Sequence, residues 1–159
     1  MKSVFVISLT LCASSSFAAA PGIVAAAGRW AALAGPAQCD AASLSLLPAS
    51  NTRLQGRASL SFDGARRNGQ FSAALSKPVG AGSGVMLTIG DAPFLLVARG
   101  VSAWSRGPAQ EAAIIVAMRG AARMRIEGRS ERGVRFIDRY ELEGAPTAID
   151  AAAACAATR

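Results

Sequence analysis

The sequence predicts a mainly β domain, an antiparallel β-sandwich-like fold with two short helices, one of them at the C-terminus. Three observations carry this expectation. Apolar residues recur at every second position over several short stretches between residues 53 and 142. Those stretches follow one another across Gly-rich or polar turns, as hairpins do, and do not alternate with helices as βαβ units would. Helical spacing is confined to residues 108–119 and to the segment after Gly144.

Taken in order, residues 31–49 mix Pro36, Pro48 and small side chains, and read as irregular with at most a short strand. Residues 53–62 put Leu54, Ala58, Leu60 and Phe62 in one phase and Arg53, Arg57 and Ser61 in the other, the pattern of a half-buried strand. The polar turn 63–69 leads to a partner strand, 70–75, with Phe71, Ala73 and Leu75 in phase. After the loop 78–84, Val85, Leu87 and Ile89 mark an inward-facing strand, Gly90-Asp91 a tight turn, and 93–98 the returning strand. Residues 101–104 add a further short one.

The period then changes. Pro108 and Glu111 suit a first helical turn, Arg119 a last one and Gly120 a stop, with Ile114, Ile115 and Met118 as the face that packs on the sheet. Residues 123–128 and 133–142 form a second hairpin. Met124 and Ile126 face one side, and Val134, Phe136, Tyr140 and Leu142 alternate with Arg135, Ile137, Arg139 and Glu141. Gly144 and Pro146 open an Ala-rich helix, in which Ala148, Ala152 and Cys155 share a face.

The chain start reads as an export signal: Lys2, an apolar run over 4–13, then Ser16-Phe17-Ala18 as a small-x-small cleavage site. The organisation expected is a signal peptide over 1–18, a flexible leader over 19–28 and one domain over 29–159. The apolar run is about half the ~20 residues needed to cross a bilayer, and no transmembrane span is expected in the mature chain. Cys12 leaves with the signal. Two cysteines remain, Cys39 and Cys155, and in an oxidising compartment an even number suggests a disulfide; two free thiols or an intermolecular bridge are the alternatives. The formal charge is +7, and loss of Lys2 lowers it by one to +6. Nearly all of the positive charge is arginine, dispersed along the chain and with few aromatics near it. That composition argues against nucleic acid as the partner.

The chain has no histidine, which removes the usual general base near neutral pH and the commonest metal ligand. Two cysteines about a hundred residues apart lack the spacing of a zinc site. The glycine loop 80–84 lacks the Lys-Ser/Thr ending of a phosphate loop and precedes a strand. The carboxylates Glu127, Glu131, Glu141 and Glu143 interleave with arginines, as on a solvated face. Asp138 alone is in phase with Phe136 and Tyr140, and if buried it should pair with an arginine. No catalytic, metal or cofactor residues are assigned. The candidate recognition surface is Trp104, Arg106, Arg123, Arg125, Arg135 and Arg139, a set of contact-forming aromatic and cationic side chains.

The order of features from Trp30 to Cys155 resembles the invasion-associated locus B family of exported bacterial proteins. The resemblance runs through Trp30 and Cys39, Ser76-Lys77-Pro78 before a Gly-containing loop, Val85 to Gly90, Ala112 to Gly120, and Met124 with Gly128. It ends on Asp138-Arg139-Tyr140-Glu141-Leu142-Glu143-Gly144, then Ala148 and Cys155. It implies a β-rich domain of the periplasm or outer membrane, with a role in host-cell invasion for some members and no enzymatic chemistry. The expected function is therefore non-enzymatic: an exported binding or accessory protein that contacts a protein or envelope component. The alternative is a surface-exposed factor that binds host or anionic envelope components through arginine-rich strand faces.

Overall fold

The computed structural model describes residues 22–64 and 67–159; the expected signal peptide lies outside them. Among these residues the fold is mainly β, with ten strands in one antiparallel sheet and two helices, the second at the C-terminus. In chain order the elements are β1 (Gly22–Ala27), β2 (Trp30–Ala34), β3 (Cys39–Leu44), β4 (Arg57–Phe62), β5 (Asn68–Ala74), β6 (Val85–Ile89), β7 (Ala92–Arg99), β8 (Ser102–Trp104), α1 (Pro108–Gly120), β9 (Arg123–Arg129), β10 (Arg135–Glu141) and α2 (Ala145–Ala157). Across the sheet the order is β1-β2-β3-β4-β5-β8-β7-β6-β9-β10.

The central strands form where bulky side chains alternate. Ala58, Leu60 and Phe62 of β4 and Phe71 and Ala73 of β5 are buried on one face. So are Val85, Leu87 and Ile89 of β6, and Met124 and Ile126 of β9. The helix α1 lies on β5 through Ile114 and Met118, both fully buried. Two stretches depart from the sequence expectation. The segment expected as a flexible leader supplies β1, which pairs antiparallel with β2. The segment expected to be irregular supplies β2 and β3, paired through Ala31–Ala42, Ala32–Ala41, Leu33–Asp40 and Ala34–Cys39. Small side chains are what this region needs. The inner faces of β2 to β4 present Ala32, Ala41 and Ala58, and α2 packs on them through Ala148, Ile149, Ala152 and Ala156. Alanine against alanine lets helix and sheet approach closely.

Cys39 and Cys155 are joined by a disulfide, with a Cα–Cα distance of 6.1 Å, which ties α2 to β3. The two ends of the sheet also meet. The Leu46 N–H donates to the Arg139 carbonyl at 2.8 Å and the Arg29 N–H to the Glu143 carbonyl at 3.2 Å. The buried Trp30 indole N–H donates to the Glu141 carbonyl at 2.9 Å. The ten-stranded sheet thus curls around its core. No helix among the described residues is long and apolar enough to cross a membrane.

Two single-residue expectations are corrected at β10, one just before it and one within it. Val134, placed in phase with the core, is 54% exposed because the strand begins only at Arg135. Asp138 is fully buried, but no arginine among the described residues bonds to it. Its Oδ2 accepts from the Ser76 backbone N–H at 2.9 Å. The inner face of the sheet is closed to long cations, and a backbone donor from the loop after β5 takes the arginine's place.

Candidate functional site

The arginines of the second hairpin converge because its turn fixes the register. The Ser130 N–H donates to the Val134 carbonyl and the Gly133 N–H to the Ser130 carbonyl. The ladder that follows sets Arg129 opposite Arg135, Glu127 opposite Ile137, Arg125 opposite Arg139 and Arg123 opposite Glu141. Alternation sends Met124, Ile126, Phe136, Asp138 and Tyr140 inward. It leaves Arg123, Arg125, Arg129, Arg135 and Arg139 outward with two carboxylates, Glu127 and Glu141. Thr88 of β6 extends the same row beside Arg125.

Carboxylates neutralise only part of this face. Arg135 Nε donates to Glu127 Oε1 at 2.7 Å, and Arg125 Nε lies 3.9 Å from Oε2 of the same residue. The hydrogen bond from Arg135 holds the Glu127 carboxyl below the usual carboxylate range, and the nearby charges of Arg125 and Arg129 act in the same direction. Glu141 is taken by Arg29, which reaches over from the other end of the sheet at 3.0 Å. Arg129 is held by the Gly133 carbonyl at 3.1 Å. Arg123 and Arg139 have no side-chain partner among the described residues. A cleft of about 440 Å³ opens beside them, with Leu46, Thr88, Arg123, Arg125, Arg139 and Glu141 in its lining. Like charges directly opposite in a ladder disfavour the sheet. The face therefore holds a cation-lined cleft at some cost in stability.

The six residues expected to form one recognition surface fall in two places. Arg123, Arg125, Arg135 and Arg139 are together. Trp104 lies on β8, separated from β9 by β7 and β6. Arg106 is exposed in the connection to α1, where its backbone N–H donates to Gln110 Oε1 at 2.7 Å. Sequence reasoning omitted Arg129, although it is in phase with Arg123 and Arg125. It also omitted Leu46 and Arg29, which arrive only through closure of the sheet.

A second hollow, of about 340 Å³, lies on the outer face of β3, β4, β5 and β8, and Trp104 forms one wall. Among the described residues no group of three or more His, Cys, Asp or Glu side chains converges as a metal site. Comparison with known proteins returns no matching family model, no matching curated protein and no matching solved structure.

Proposed function

We propose that this chain is an exported, non-enzymatic binding protein of the bacterial envelope, and that the outer face of β9 and β10 docks on an anionic component of that envelope. The observation that carries the reading is the Arg125–Arg139 pair, set opposite each other beside the unpartnered Arg123. Two facing guanidiniums repel each other until an anion lies between them. The geometry suits a multivalent anionic surface, because five arginines share one rigid ladder. Export is supported by the signal-like first 18 residues and by the disulfide, a bond that persists in oxidising compartments. The resemblance to the invasion-associated locus B family points the same way.

Co-sedimentation with lipid vesicles tests this. The protein should pellet with vesicles containing phosphatidylglycerol and stay in solution with phosphatidylcholine alone. Binding should fall steeply as salt rises, since exposed charges are screened within about 10 Å at 0.1 M ionic strength. Arg125→Glu with Arg139→Glu should abolish it while leaving the melting midpoint within a few degrees. Equal binding to neutral vesicles, or full binding by the double variant, would sink the proposal.

A further inference from the structure

The hollow walled by Trp104 is a different kind of surface from the arginine cleft. Its floor is made of small hydroxyl side chains. Ser59 and Ser72 are cross-strand partners whose hydroxyls lie 3.0 Å apart, and Trp104 is the next residue in the same row. On the far side, Asp40 is held rigidly: its Oδ1 accepts from the Ser61 hydroxyl at 2.6 Å and from Gln38 Nε2 at 2.8 Å. Arg67 fixes the Gln38 amide in turn by donating to its Oε1. Asp40 Oδ2 has no partner among the described residues. Neither have the Arg57 guanidinium and the indole N–H of the half-buried Trp104, both in the lining of the same hollow. Asp40 and Trp104 stand on β3 and β8, three strand spacings or roughly 14 Å apart.

These features define the chemistry of the occupant. The charged residues of the lining, Asp40 and Arg57, cancel, so the hollow attracts neither a cation nor an anion overall. The serine floor is poor cover for an apolar ligand. An extended peptide finds no free edge here, because β3, β4, β5 and β8 are all interior strands with both neighbours in place. What remains complementary is a neutral, flat molecule with one apolar face and many hydroxyls. It would stack its C–H face on the indole, whose ring face is electron-rich. It would place hydroxyls between a fixed acceptor, Asp40 Oδ2, and two unpartnered donors, Arg57 and the indole N–H. We propose that this trough binds a neutral oligosaccharide, with Trp104 as the stacking platform and Asp40 and Arg57 as the groups that read its hydroxyls.

The test exploits the two tryptophans. Trp30 is only 1% exposed, so a saccharide-induced change in tryptophan emission reports Trp104. Neutral tetrasaccharides of glucose and of N-acetylglucosamine, titrated to millimolar concentration, should give a saturable change with at least one of them. The affinity should be unaltered by salt, which separates this site from the arginine face whether or not that reading holds. Asp40→Asn keeps Oδ1 for its internal bonds but loses the charged acceptor, and should weaken binding about tenfold or more. Trp104→Phe should weaken it without abolishing it, as followed by calorimetry. Unchanged melting midpoints show that neither substitution acts through unfolding. The proposal fails if no tetrasaccharide binds, if the Asp40→Asn protein binds as tightly as the parent, or if an uncharged extended peptide competes fully for the site.

Discussion

Tyr140 is the single tyrosine of the chain, and its hydroxyl is buried with no hydrogen-bond partner among the described residues. Burial, and then the charge of Asp138, push its ionisation far above the ordinary tyrosine range. The sign of the consequence is fixed by linkage. A group whose folded pKa is raised leaves stability intact below its unfolded pKa, here about 10, and removes it as pH rises beyond that, by about 1.4 kcal/mol per pH unit for one proton. The tyrosinate absorbance should therefore appear only as the protein unfolds, in one cooperative step above about pH 10. Tyr140→Phe should remove this tyrosine-linked part of the alkaline loss and be at least as stable as the parent at neutral pH, because an unsatisfied buried hydroxyl is removed. Urea titrations at pH 7 and at pH values above 10 measure both. Gly56 belongs to the same cluster. A Cβ there would lie 2.9 Å from Asp138 Oδ2 and 2.9 Å from the Tyr140 hydroxyl. Gly56→Ala should cost about 1–3 kcal/mol by overpacking, read as a lower urea midpoint with an unchanged slope.

The helix α2 shows at the scale of one element what the sequence reveals and what it hides. It has no side-chain cap at Gly144, no acidic residue in its first turn and no basic residue in its last. Its stability must come from packing and from the bridge to β3. Closing a loop of 116 residues contributes about 4–5 kcal/mol in the chain-entropy model. Replacing Cys39 and Cys155 together by Ala should remove a large part of that, and amide exchange should accelerate in α2 well before it does in β4 and β5. Equal acceleration in both would contradict this division. The contrast with α1 is instructive: Pro108, Glu111, Arg119 and Gly120 announce it from sequence, and the structure places it at Pro108–Gly120. β1 to β3 are not legible in that way, since apart from Trp30 their buried inner positions, among them Ala32, Cys39 and Ala41, are small and carry no run of alternating bulky residues. Their partner is a helix more than a hundred residues later. The arginine face was half legible. Alternation gives the outward phase, whereas the Arg125–Arg139 pairing depends on the register set by the 130–133 turn, and the distance of Trp104 from it depends on β8 joining β5.

At the scale of the whole molecule, the closing of the sheet on itself decides whether β10 is held in place, and two glycines make that closure. Gly144 has φ +83° and Gly28 φ +53°, both left-handed conformations that favour glycine. Their backbones pass so closely that a Cβ on Gly144 would lie 1.8 Å from the Ala27 carbonyl oxygen, and one on Gly28 2.5 Å from that of Glu143. No rotamer relieves a clash between Cβ and backbone. Gly133 supplies the control, because it shares the left-handed geometry at φ +75° but has open space around its Cβ position. Gly133→Ala should cost only the conformational term, about 1–2 kcal/mol. Gly144→Ala carries that term plus separation of the seam, and should cost more than about 3 kcal/mol. The same substitution should loosen the Trp30–Glu141 and Leu46–Arg139 hydrogen bonds across the seam, so amide protection at Leu46 should fall in the Gly144→Ala protein and not in the Gly133→Ala one. Equal urea midpoints for the two variants would mean that the ends of the sheet are not mechanically joined. Arg139 would then owe its position to the β9–β10 ladder alone. A larger effect at Gly144 makes the seam part of what presents the arginine face.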